Sequence, residues 1–126
     1  MDNRKYLHFE DIEAYKTAFQ LSNTVWNAVL QWDNFSRDTI GKQFVRAADS
    51  ISANIAEGYG RYSKKDKVNF YRYAKGSTLE TLNWYKKATI RKLIPIEHGK
   101  KIEIDLEKLP KLINWLIKFT NENLTI

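Results

Sequence analysis

The sequence predicts an all-α fold, an antiparallel up-down-up-down four-helix bundle in a single domain over residues 1–126. Apolar residues recur at steps of three and four in four separate segments. Short runs of turn-forming residues part the segments, and neither repeats nor low-complexity tracts interrupt the pattern. A hydrophobic content of 43%, with 13% aromatic, is enough for one core in a chain of 126 residues.

The first helix is expected over about residues 9–32. Ile12, Tyr15, Phe19, Ser22, Trp26 and Val29 form one seam, and Ala18, Leu21, Val25, Ala28 and Trp32 form a second beside it. Together the seams cover roughly 160° of the helix, wider than a monomeric bundle helix needs, so one edge is expected to meet another subunit. Glu10, Asp11 and Glu13 suit the positive end of the helix dipole. Asp33, Asn34 and Ser36 break the pattern, and Ser36 or Asp38 is expected to cap a second helix over 37–59. Its core line is Phe44, Ala48, Ile51 and Ile55, extending toward Tyr59, flanked by the small residues Ala47, Ser50, Ser52, Ala53 and Ala56.

A third helix is expected over 64–93, with a seam of Phe70, Ala74, Ser77, Thr81, Trp84 and Ala88 and with Tyr71, Thr78, Leu82 and Tyr85 alongside. Ile94, Pro95 and Gly99 end it. The fourth helix, over 100–122, runs on Ile102, Leu106, Leu109, Ile113, Leu116 and Thr120, with a kink near Pro110. Because Ile102, Ile104 and Leu106 also alternate, residues 97–109 stay open between helix and irregular chain.

Between the second and third helices stands NIAEGYGRYSKK, residues 54–65. A dinucleotide-binding fingerprint would need a preceding strand and a third glycine where Ser63 stands, and a Walker loop would end Gly-Lys-Ser/Thr. Local rules suffice instead for a helical hairpin. Gly60 is placed to take the left-handed conformation that ends a helix, and Ser63 with Asp66 three residues on resembles a capping box. Lys64 and Lys65 then sit where the dipole disfavours cations, which asks for another reason to keep them. A turn near residue 62 would set Gly76 and Ser77 against Ala47 and Ala48, with close packing offsetting the glycine. Glu57 and Arg61, four apart, are expected to pair and to join Asn54, Ser77 or Glu80 in a structural polar network.

Other chemistry is disfavoured by composition and spacing. The absence of Cys excludes disulfides and thiolate metal sites. His8 and His98 lack the Glu-x-x-His spacing of a dimetal bundle and any nearby nucleophile signature, so no metal, cofactor or catalytic residue is expected. Glu57 and Glu80, flanked by Arg and Lys, should both stay ionised rather than divide acid and base roles. Trp26, Trp84 and Trp115 read as core, leaving Trp32 as the tryptophan most open to base stacking. With a charged N-terminus and no long apolar run, the chain reads as cytoplasmic and without a membrane span.

Charge is unevenly placed. Residues 61–92 hold ten Lys or Arg against Asp66 and Glu80, a net +8 in a chain whose total is +6. Lys65, Arg72, Lys75 and Lys86 project within roughly an 80° arc of the third helix, shared with Val68 and Leu79, which hints at a bordering subunit contact. Such a stripe fits a nucleic-acid backbone, read without sequence preference, through Arg61, Lys64, Lys65, Lys67, Arg72, Lys75, Lys86 and Lys87. A solvated helix face is the plain alternative.

Residues 50–80, SISANIAEGYGRYSKKDKVNFYRYAKGSTLE, closely resemble the signature of bacterial four-helix-bundle proteins encoded in intervening sequences of 23S ribosomal RNA genes. The resemblance pairs Asn-Ile-Ala-Glu-Gly-x-Gly-Arg (Asn54, Glu57, Gly58, Gly60, Arg61) with Ala-x-Gly-Ser-x-x-Glu (Ala74, Gly76, Ser77, Glu80), and HFEDIEAYKTA from His8 to Ala18 adds to it. It implies a bundle assembled into a ring, a pentamer, and kinship with the accessory variability determinant of diversity-generating retroelements, which binds nucleic acid and partners a reverse transcriptase. It brings no catalytic residues. Ser52 stands where such proteins often carry Pro, which should straighten the second helix slightly. The function expected is a non-enzymatic homo-oligomer binding RNA or DNA backbone; the alternative is a scaffold for an acidic protein partner.

Overall fold

The computed structural model describes residues 7–125. A 3-10 turn, Phe9–Asp11, leads into α1, Glu13–Leu30. One helical turn, Asn34–Ser36, and a π-helical stretch, Arg37–Gly41, lead into α2, Lys42–Gly60. Then come α3, Lys64–Ile90, and α4, Ile96–Asn123. Among the described residues there is no strand.

The helices form a square in which α1 packs on α2, α2 on α3, α3 on α4 and α4 on α1. All four contacts are antiparallel. The Tyr59 hydroxyl donates to the Leu7 carbonyl at 2.7 Å, while at the other end of the pair Gly41 lies against Val29 and Trp32. Gly58 lies on Tyr71 across the α2–α3 hairpin, and Lys64 at the start of α3 reaches the end of α4. Gln20 of α1 meets Asp105 of α4, while Ile12 and Leu116 line a common cavity.

Burial selects one side of each expected seam. On α1 the Ala18, Leu21, Val25 and Ala28 line is fully enclosed, whereas Phe19 and Trp26 of the other seam are each 52% exposed. Phe44, Ile51 and Ile55 of α2 share one core cluster with Ile102, Leu109, Ile113 and Leu116 of α4. Beyond Val68 and Tyr71 in its first half, the inner face of α3 is small and polar by comparison, with Ala74, Thr78, Thr81 and Ala88. Its hydroxyls are satisfied within the helix, Thr78 donating to the Ala74 carbonyl at 2.8 Å and Thr81 to that of Ser77 at 2.7 Å. Buried hydroxyls bonded in this way avoid the cost of an unpaired polar group.

Several local expectations are corrected. The cap before α2 is Asp33, whose carboxylate accepts from the Ser36 amide at 3.4 Å, rather than Ser36 or Asp38. Gly60 is not left-handed; no glycine is, and α2 ends on Arg61 in extended conformation. The left-handed cap occurs at Lys92 (φ 58°), after α3, where the Leu93 amide bonds the Ala88 carbonyl at 2.9 Å and the Lys92 amide that of Thr89 at 3.0 Å, a Schellman closure without glycine. Gly76 is exposed, with nothing within 4 Å of where a Cβ would stand, and the glycine that permits close packing is Gly58. Residues 97–109 are helical, and α4 starts at Ile96 and runs unbroken through the exposed Pro110.

Candidate nucleic-acid interface

The basic residues of α3 fall into two sets, divided by which side of the helix each occupies. Lys65, Arg72, Lys75 and Lys86 are exposed, and none forms an ion pair with an acid among the described residues. At about 1.5 Å per residue they span roughly 32 Å of helix. Lys87 is exposed as well, with its Nζ 4.9 Å from the centre of the Trp84 ring.

The other basic residues near the hairpin are engaged within the chain. Lys64 donates to the Leu124 carbonyl at 3.3 Å and lies 3.5 Å from that of Asn121, so it satisfies the last carbonyls of α4. This contact explains a cation in the first turn of α3. Lys67 donates to the Tyr59 carbonyl at 2.6 Å and lies over the Tyr59 ring, and burial pushes its ammonium down from the usual lysine range. Arg61 pairs with Glu57 at 3.3 Å and covers the Phe70 ring at 4.6 Å. The expected pair therefore forms, but on the surface. Asn54 donates to the Ser50 carbonyl, and no hydrogen bond or ion pair among the described residues joins it, Ser77 or Glu80 to the pair, so the wider network does not form there. Ser63 does cap α3, accepting from the Asp66 amide at 3.2 Å.

The arc of the stripe is not uniform. Val68, within the same arc, is 4% exposed and packs inside its own chain, so it marks no subunit contact. Leu79 is 69% exposed and, with Lys75, Leu82, Leu106 and Pro110, lines a 240 Å³ groove between α3 and α4.

Three of the four tryptophans depart from expectation, while Trp84 is partly buried against the core as expected. Trp32 is 6% exposed, stacked on Phe44 at 6.2 Å, with its indole N–H unpartnered. Trp26 and Trp115 are half in solvent, the latter stacked on Phe119 at 5.2 Å. Sequence reading missed a second exposed line on α4, Lys101, Lys108, Lys111, Trp115 and Lys118, whose steps of three, four and seven could have revealed it. Among the described residues no group of His, Cys, Asp or Glu is placed to hold a metal, and no helix is long and apolar enough to cross a membrane.

The fold and site define a class: an all-α four-helix bundle that carries, on one outer helix face, a line of cations with no ion pair among the described residues. More particularly, the chain belongs to the 23S rRNA-intervening sequence protein family, whose pattern matches residues 10–115. A crystal structure of a protein of unknown function from the S23 ribosomal protein family of Bacteroides thetaiotaomicron is similar at a TM-score of 0.72. Identity is 24%, and the match covers 83% of this chain and 98% of that one, which shows the shared fold. No curated protein matches the sequence.

Proposed function

We propose that the chain is a non-enzymatic, homo-oligomeric, cytoplasmic module that binds RNA or DNA backbone through Lys65, Arg72, Lys75 and Lys86, with Lys87 at the margin. The observation that carries this reading is the set of solvent-facing cations along one face of α3, uncompensated by any ion pair among the described residues. Phosphate neutralisation by such a line is sequence-tolerant and strongly salt-dependent. Self-association, as the pentamer implied by resemblance to the intervening-sequence proteins, brings several such lines into one surface. The half-exposed Phe19, Trp26 and Leu30 on α1 support it, because they form an apolar edge that the bundle itself leaves open. Kinship with the accessory variability determinant belongs to the same reading.

Combined charge reversal at Lys65, Arg72 and Lys75 tests the site. For three lost phosphate contacts, the slope of log K against log salt should shrink by about 2–3. Retention of structured RNA with an unchanged slope would remove α3 as the interface. A second reading, a scaffold for an acidic protein, is favoured by the exposed Leu79 and the apolar groove beside Lys75. Capture of that partner after nuclease treatment, lost on Leu79→Asp, would select it.

A further inference from the structure

At the end of the bundle where α2 turns into α3 and α4 finishes, a cavity of about 310 Å³ opens between the helices. Its walls are largely apolar, with Ile12, Tyr71, Leu116 and Phe119 among them. Among the described residues one charged side chain, Lys67, lines it. Lys67 has no carboxylate within ion-pair distance among the described residues. Among the described residues it donates to the Tyr59 carbonyl, which leaves two of the three ammonium hydrogens for another acceptor. The Thr120 hydroxyl, also at the cavity, is already spent on the Leu116 carbonyl at 2.8 Å.

We propose that this cavity is a binding site for a small amphipathic carboxylate, with its hydrocarbon tail among Ile12, Tyr71, Leu116 and Phe119 and its carboxylate on Lys67. Three arguments choose the ligand. A partly buried ammonium without an anion is unfavourable, and a carboxylate supplies both the charge and two acceptor oxygens for its free hydrogens. Burial already pushes the Lys67 ammonium down, the direction that desolvation gives a cation. Apart from the hydroxyls of Tyr59, Tyr71 and Thr120, the remaining wall is apolar, which suits a hydrocarbon tail better than a polyanion. A volume of about 310 Å³ lies at the small end of ligand pockets. It corresponds to roughly ten water volumes of about 30 Å³ each, close to the non-hydrogen size of an eight-carbon carboxylate.

This site is separate from the stripe and does not rest on nucleic-acid binding. The test titrates octanoate and octan-1-ol into the full chain and follows its backbone amides by NMR. Octanoate should give saturable, one-to-one shifts at Tyr71, Leu116 and Thr120, and octan-1-ol should bind at least tenfold more weakly. Lys67→Met should bring octanoate down to the level of the alcohol, while Lys42→Met, on an exposed residue at the opposite end of α2, should change nothing. No shifts at those amides with millimolar octanoate, equal binding of acid and alcohol, or full octanoate affinity in a folded Lys67→Met chain would each overturn the proposal. Because the comparison of acid with alcohol uses the unaltered chain, it decides the question even if Lys67→Met fails to fold.

Discussion

Gly58→Ala should destabilise the protein although alanine is the better helix former. A Cβ built on Gly58 would lie 2.6 Å from Cε1 and 2.9 Å from Cδ1 of Tyr71, and 3.0 Å from the Lys67 carbonyl oxygen. Carbon atoms pack best at about 3.5–4.0 Å, so the overlap is about 1 Å. Tyr71 cannot swing aside easily, because its ring is buried in the core. The Lys67 oxygen belongs to the backbone of α3, so relief requires α2 and α3 to separate. Overpacking of this kind costs about 1–3 kcal/mol, offset by about 0.5–1 kcal/mol of regained helix propensity, which leaves a loss of about 1–2 kcal/mol. Gly76→Ala is the control, since the added methyl meets nothing and should gain about 0.5–1 kcal/mol. For 126 residues the entropy of unfolding makes each kcal/mol worth about 4 °C in Tm, so the two variants should melt about 6–12 °C apart. Far-UV circular dichroism melts and urea titrations read both effects. A Gly58→Ala chain as stable as the parent would refute the close approach of α2 and α3. A Gly76→Ala chain that loses stability in a concentration-dependent way would instead place Gly76 between copies.

Asp105 is 3% exposed, and burial raises its carboxyl above the usual carboxylate range, against the opposing pull of Lys108 and of Gln20, which donates to it at 3.4 Å. The folded state therefore binds its proton more tightly than the unfolded one, so this group's contribution falls as pH rises from the ordinary aspartate value through the raised one. Asp105→Asn should raise stability at neutral pH, by about 1 kcal/mol, and flatten that part of the pH profile; a loss of stability across the whole range would contradict it. Trp32→Phe should cost less than about 1.5 kcal/mol in urea titrations, because the indole N–H has no partner to lose while the stack on Phe44 is kept. Phe19→Ser with Trp26→Ser should leave the monomer fold intact and lower the mass measured by light scattering; an unchanged mass would take the α1 edge out of self-association.

The helix class, the four segments and most core positions were legible because apolar periodicity is a local record of burial. Leu21, Val25, Phe44, Ile51, Ile55 and Leu109 stand on expected seams and are fully enclosed. The Ser63 cap was legible for the same reason, being a contact over three residues. The candidate interface was legible only in part. Lys64 and Lys67 look like Lys65 and Lys75 in the chain, yet the first two point at a helix end and a ring that lie far away or across the hairpin.

By itself, then, the sequence determined an all-helical bundle, its breaks and the placement of positive charge on the third helix. Only the tertiary structure decided which seam of α1 faces inward, which glycine admits a neighbouring helix, which tryptophans reach solvent and which lysines remain unengaged. Periodicity states that a face is apolar or charged; what lies opposite that face depends on residues distant in the chain, and that determines the energy of each side chain.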